Sequence, residues 1–147
     1  MGWLITGLFA ATFGVVAITW LALERESARA ARQALNAAVA RFDLRPAPRK
    51  GWSGAHVFFG TVRGFEVTWT LTPREVAREV RIRVHHPKLG GRVLHDATPL
   101  VFSFETTLTL ERATLELTFK DTLGDDASQL APSTNRLLDF ATRLADG

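Results

Sequence analysis

The arrangement of apolar residues changes period near residue 45 and again near residue 133. Before the first point they run unbroken or recur at helical spacing, between the two they alternate, and after the second helical spacing returns. Residues 3–23 (WLITGLFAATFGVVAITWLAL) carry no charged side chain. At a helical rise of about 1.5 Å per residue this run is long enough for a hydrocarbon core of roughly 30 Å. It predicts a single transmembrane helix over residues 1–23. No proline follows until Pro46, so the helix is expected to continue to about Phe42, as a helical stalk over residues 24–44.

Positions Gly7, Ala10, Gly14, Ala17, Leu21, Glu24, Ala28, Ala31, Leu35, Ala38 and Phe42 form a heptad stripe interrupted only by Glu24. Its small residues in the apolar half suit close helix approach in lipid, which would allow a homo-oligomer through anchor and stalk. Docking of the outer half on the chain's own domain is the competing expectation. It is favoured because Arg25, Arg32 and Arg41 flank the stripe with like charge and alanines make poor knobs.

Pro46 and Pro48 end the helical pattern and make residues 45–52 a stiff, basic linker. The remainder, residues 53–147, is expected to be one small soluble α+β domain. Apolar alternation on both sides of Arg63-Gly64 predicts a hairpin with a two-residue turn. Its register sets Val62 against Phe65, Gly60 against Val67, Phe58 against Trp69 and His56 against Leu71. Trp69 then shares the core-facing side with Phe65, Val67 and Leu71. Thr72-Pro73-Arg74-Glu75 resembles a capping box with proline at the first helical position, enough for one helical turn. Val80, Ile82 and Val84 predict a third strand.

Loop chemistry follows from His86 to Pro99. A second β block comes next, built on Leu100, Phe102 and Phe104, then Leu108 and Leu110, then Leu115, Leu117 and Phe119. The odd step from Leu110 to Leu115 demands a tight turn or bulge near Arg112, giving three more strands, or two with a bulge. Residues 121–132 are expected to be loop. Ser133 or Thr134 then caps a terminal helix with Leu137, Leu138, Ala141 and Leu144 on one face. The whole is an antiparallel sheet of about five or six strands covered on one side by that helix and the end of the stalk.

Charge changes this picture little except in placement. There are 18 Lys and Arg against 15 Asp and Glu, and no cysteine. Thiol catalysis, disulfides and cysteine-ligated metal are excluded. Arg25, Arg29 and Arg32 follow the apolar run closely, so the positive-inside bias places the domain on the cytoplasmic side of a single-pass membrane protein. Trp3 and Trp20 fall where indole rings favour the headgroup boundary. A cleaved signal peptide fits less well, because no cation precedes the run and the run is too long.

Candidate chemistry is sparse. His85, His86, His95 and Asp96 are the only plausible metal donors together in sequence, but adjacent histidines on a strand face opposite ways and no fixed spacing ties them to His95; a metal is not expected. Asp125-Asp126 is an ordinary solvated turn pair. Ser53 and Ser103 lack a nucleophile-elbow context, and Gly90-Gly91 lacks the spacing of a phosphate loop. No cofactor is implied. Arg81, Arg83 and His85 alternate with Val80, Ile82 and Val84 and so share the outer side of a strand, preceded by Arg74 and Arg78. These five residues are the candidate ligand-binding set, suited to anionic lipid or another anionic ligand unless Glu66, Glu79 or Glu116 neutralises them. Aromatics do not interleave with them, which argues against nucleic acid.

The sequence thus favours a non-catalytic interaction or scaffold module, held at a lipid bilayer and available to a protein partner or a second copy. Binding of anionic lipid or ligand through the basic strand is the alternative. A small enzyme is the least favoured reading.

Overall fold

The computed structural model describes residues 2–48, 54–73, 77–94, 100, 106–122 and 127–147. One uninterrupted helix, α1 (Gly2–Arg41), leads into an antiparallel sheet of six strands and a second helix. The strands are β1 (Arg45–Pro46), β2 (His56–Val62), β3 (Phe65–Pro73), β4 (Ala77–His85), β5 (Thr106–Glu111) and β6 (Thr114–Thr122), and the last helix is α2 (Ala127–Asp146). Across the sheet they lie in the order β1-β2-β3-β4-β6-β5. The α+β class and the terminal helix agree with the sequence pattern.

The first hairpin has the register that its turn demands: Val62 pairs with Phe65, Gly60 with Val67, Phe58 with Trp69 and His56 with Leu71. Arg63 (φ 54°) and Gly64 (φ 83°) both occupy the left-handed region, the condition for a two-residue turn that matches strand twist. A second such turn, Arg112 (φ 47°) and Ala113 (φ 64°), joins β5 to β6 and accounts for the odd step between Leu110 and Leu115.

Pairing aligns the inner face into cross-strand rows. One runs Phe58, Trp69, Ile82, Leu117, Leu108 and the next Gly60, Val67, Val84, Leu115, Leu110. The residues of these rows on β3, β4 and β6 are fully buried. Leu130, Leu137, Leu138, Phe140 and Ala141 of α2 join them in the core, as do Ala38, Phe42 and Leu44 from the end of α1 and the chain beyond it. The Phe42 ring meets Trp69 edge to face, with centroids 5.6 Å apart.

The chain leaving α1 passes close over Gly60 as it folds back along the sheet edge. A Cβ there would meet Leu44 Cδ2 at 2.9 Å and the Asp43 carbonyl at 3.1 Å.

Several expectations change. Arg45 and Pro46, expected in a linker, form β1 on the edge of β2. Residues 127–132, expected to be loop, are the first turns of α2, and Leu130 is buried. Pro132 withholds one helical N–H, yet core contact by Leu130 on the preceding turn draws the helix back to Ala127. Thr134 is therefore no cap: its hydroxyl donates to the Leu130 carbonyl at 2.7 Å, inside the helix. Thr72 and Pro73 belong to β3, and the remainder of the expected helical turn, Arg74 and Glu75, lies outside the described residues. So do Phe102 and Phe104. Of the second β block, two strands are described.

The expected transmembrane span lies within α1. Among the described residues, however, no helix is long and apolar enough to cross a membrane. Side chains of α1 are described from Thr12, and the uncharged run from there to Leu23 rises only about 18 Å, short of a roughly 30 Å core.

Candidate functional site

The outer face of the sheet carries the residues singled out by their alternation on β4. Arg81 and Arg83 face outward there, opposite the buried Val80, Ile82 and Val84. They do not stand alone. β4 pairs with β6 so that Arg83 lies across from Glu116. The Arg83 Nε donates to Glu116 Oε2, and Arg81 Nε lies 3.4 Å from Glu116 Oε1. This second contact is an ion pair without hydrogen-bond geometry, since Arg81 Nε is buried and has no hydrogen-bond partner. Arg81 also donates through Nη2 to Glu79 Oε1 at 3.2 Å. Two carboxylates thus answer two guanidinium groups, and the face is close to neutral at its centre.

His85 continues the row at the other end of β4, where Nδ1 shares a 3.0 Å hydrogen bond with Thr114 Oγ1. Arg78 belongs to β4 and pairs in register with Asp121, while Arg74 lies outside the described residues. The basic set is therefore a short strand segment whose two described guanidinium groups are paired with acids. Threonines surround it in register: Thr68 and Thr70 on β3, Thr118 on β6, and Thr107 and Thr109 on β5. Cross-strand neutralisation is a non-local fact. Its trace in the sequence is the set of acids Glu66, Glu79 and Glu116, of which Glu79 and Glu116 reach the arginines.

A second feature has no counterpart among the sequence motifs. An open depression of about 800 Å³ lies between the β2–β3 turn, the 3-10 turn at Pro87–Leu89 and the last turns of α2. Arg63 on its rim donates to Asp139 Oδ1 at 2.6 Å. The His86 ring stacks obliquely on Phe65, with centroids 5.0 Å apart, and its Nδ1 accepts the Lys88 backbone N–H. Asp139 and His86 are each committed to a structural contact, and the rim holds no serine, threonine or cysteine nucleophile paired with a base: the Thr142 hydroxyl donates to the Leu138 carbonyl.

Among the described residues no group of three His, Asp or Glu side chains is placed to hold a metal ion. His95, Asp96, Asp125, Asp126, Ser53 and Ser103 lie outside the described residues.

The third feature is α1 itself. Along the stripe, Ala31, Leu35, Ala38 and Phe42 turn toward the domain and α2, and the positions between them are mostly exposed. The outer half of the stripe is thus occupied by the chain's own domain. At every described position from 12 to 30 the helix is exposed. Phe13, Val15, Val16, Ile18, Trp20, Leu21 and Leu23 are 49–80% exposed and point in all directions around the axis.

Comparison of the chain with protein families, with curated proteins and with solved structures finds no match.

Proposed function

We propose that this chain is a single-pass, membrane-anchored interaction module without catalytic activity, its domain held on the cytoplasmic side. The observation that carries the reading is the apolar, fully exposed section of α1. A helix that is apolar on all sides needs cover on all sides. A protein groove covers one side of a helix, whereas a bilayer surrounds it. The sequence extends the described section back through residues 3–11 without a charge, completing a span-length run. Between Leu23 and Leu35, the first described residue of α1 packed against the core, the helix rises about 18 Å, which sets the domain off the membrane surface.

The interaction reading is supported by the nearly neutral, Thr-rich outer face of the sheet. Anionic-lipid binding through Arg74, Arg78, Arg81, Arg83 and His85 is the weaker alternative, because Glu79 and Glu116 pair with Arg81 and Arg83 and the stalk holds the domain away from headgroups.

Membrane fractionation of the full chain, followed by an alkaline carbonate wash, tests the anchor. Retention in the pellet is expected, and release into the wash would reject an integral span. Protease added to intact spheroplasts of a bacterial host tests the side: the domain is expected to survive, and its digestion would reverse the orientation while leaving the anchor in place.

A further inference from the structure

The two edges of the sheet differ in how they end. At one edge β1 is two residues long, contains Pro46, and belongs to the chain crossing over Gly60. Short length, proline and charge are how sheets close an edge. At the other edge β5 is six residues long (TTLTLE), with no proline, glycine or lysine. Among the described residues β5 pairs only with β6, so alternate residues of β5 direct N–H and C=O groups away from β6, where no described residue meets them. Leu108 and Leu110 lie on its inner side, half-buried and packed on the core, while Thr107, Thr109 and Glu111 are exposed on the outer side.

We infer that β5 pairs antiparallel with β5 of a second copy of this chain, joining two six-stranded sheets into one. The strand is self-complementary in one register. Residues directly opposite in an antiparallel pair share a face, so a two-fold axis must pass through a residue and not between two. An axis at Thr109 sets Leu108 against Leu110 of the partner copy twice over, extending the inner apolar rows from one sheet into the next. On the outer side Thr109 meets its own copy and Thr107 meets Glu111, so no like charges oppose each other. An axis at Leu108 instead leaves each Leu110 facing Thr106 and forms one apolar pair. The axis stands perpendicular to the sheet, so both helical layers, with the docked ends of both α1 helices, lie on the same side. Five paired residues per copy make an interface well below the roughly 1,200 Å² of stable soluble complexes, so the pair forms when the copies are confined together. β5 lies at the opposite edge of the sheet from β1 and the α1 exit, so a failure of pairing and a failure of anchoring are distinguishable.

The absence of cysteine makes the register directly testable. In the full chain, Thr109→Cys places a thiol against its own copy at about 4.5–5.5 Å between Cα atoms, within disulfide range. Thr107→Cys, on the same exposed face, lies about 13 Å from its copy, four residues along the strand, and is out of range. Each variant is exposed to copper phenanthroline in the membranes of expressing cells, or at high concentration in solution if fractionation shows no insertion. Thr109→Cys is expected to shift from 16.2 kDa to twice that mass on non-reducing gels, with Thr107→Cys staying at monomer mass. Equal cross-linking of both variants would mean random collision and overturn the inference. So would the absence of cross-linking from Thr109→Cys in a chain whose melt matches the parent, leaving β5 to another partner or to none. Cross-linking of Leu108→Cys in place of Thr109→Cys would overturn the register.

Discussion

On the inner face of the sheet Trp69 is wholly buried, in a row with Phe58, Ile82 and Leu117 and against the Phe42 ring. One residue away on the same strand Thr68 and Thr70 face outward, beside Arg83 and Arg81. The strands are common to both faces, but the forces are not. Inner contacts remove apolar area from water, and a lost side chain leaves a cavity that neighbours on five strands cannot fill. Outer contacts are ion pairs and hydroxyls in solvent, where water replaces what a substitution removes. The inner face therefore holds the fold, and the outer face can change its partners with little effect on stability.

The largest expected effect is on the inner face. Trp69→Ala should lower the unfolding free energy by about 3–5 kcal/mol, as large aromatic truncations in cores do, and much of the domain's stability goes with it. Trp69→Phe should cost clearly less, since the buried indole Nε1 has no hydrogen-bond partner to lose. Denaturant titration of both variants checks the order; equal losses would mean that ring burial is not what Trp69 contributes.

A smaller loss is expected where α1 meets the sheet. Gly60→Ala drives a methyl group against Leu44 and the Asp43 carbonyl. Overpacking of this kind costs about 1–3 kcal/mol. An unchanged melting temperature would show that the α1 exit is free to move off β2. The β5–β6 turn should respond in the opposite direction. Ala113 sits at φ 64°, strained for an L-residue, so Ala113→Gly is expected to gain up to about 1 kcal/mol after the added unfolded-state entropy. A lower denaturation midpoint would contradict the turn geometry.

The smallest effect belongs to the outer face. Replacing Arg81 and Arg83 together by Gln removes ion pairs whose arginine side chains are 37% and 49% exposed. The melt should change by less than about 1 kcal/mol. Flotation of the same variant on anionic vesicles should match the parent, because Glu116 and Glu79 already neutralise the two cations. A marked loss of flotation would revive the basic strand as a lipid site and blur the division between the two faces.

What the sequence determined by itself is local. The first hairpin and its register follow from Arg63-Gly64 and the parity of Phe65, Val67, Trp69 and Leu71. The continuity of α1 follows from forty residues without proline or a helix-breaking pair. A turn near Arg112 follows from a break in alternation. Each rests on neighbours within a few positions, where steric and periodic constraints act directly. Tertiary structure decided the rest. The order β4-β6-β5 brings Glu116 to Arg81 and Arg83 and puts β5 at the edge of the described strands. Alternation states that a strand has a face but not which strand lies beside it. Burial of Leu130 extends α2 back through Pro132 against local preference, and the passage of Leu44 over β2 gives Gly60, a weak strand residue by itself, a close-packed neighbour. These outcomes arise between segments tens of residues apart, because their energies come from contacts that exist only once the core has closed.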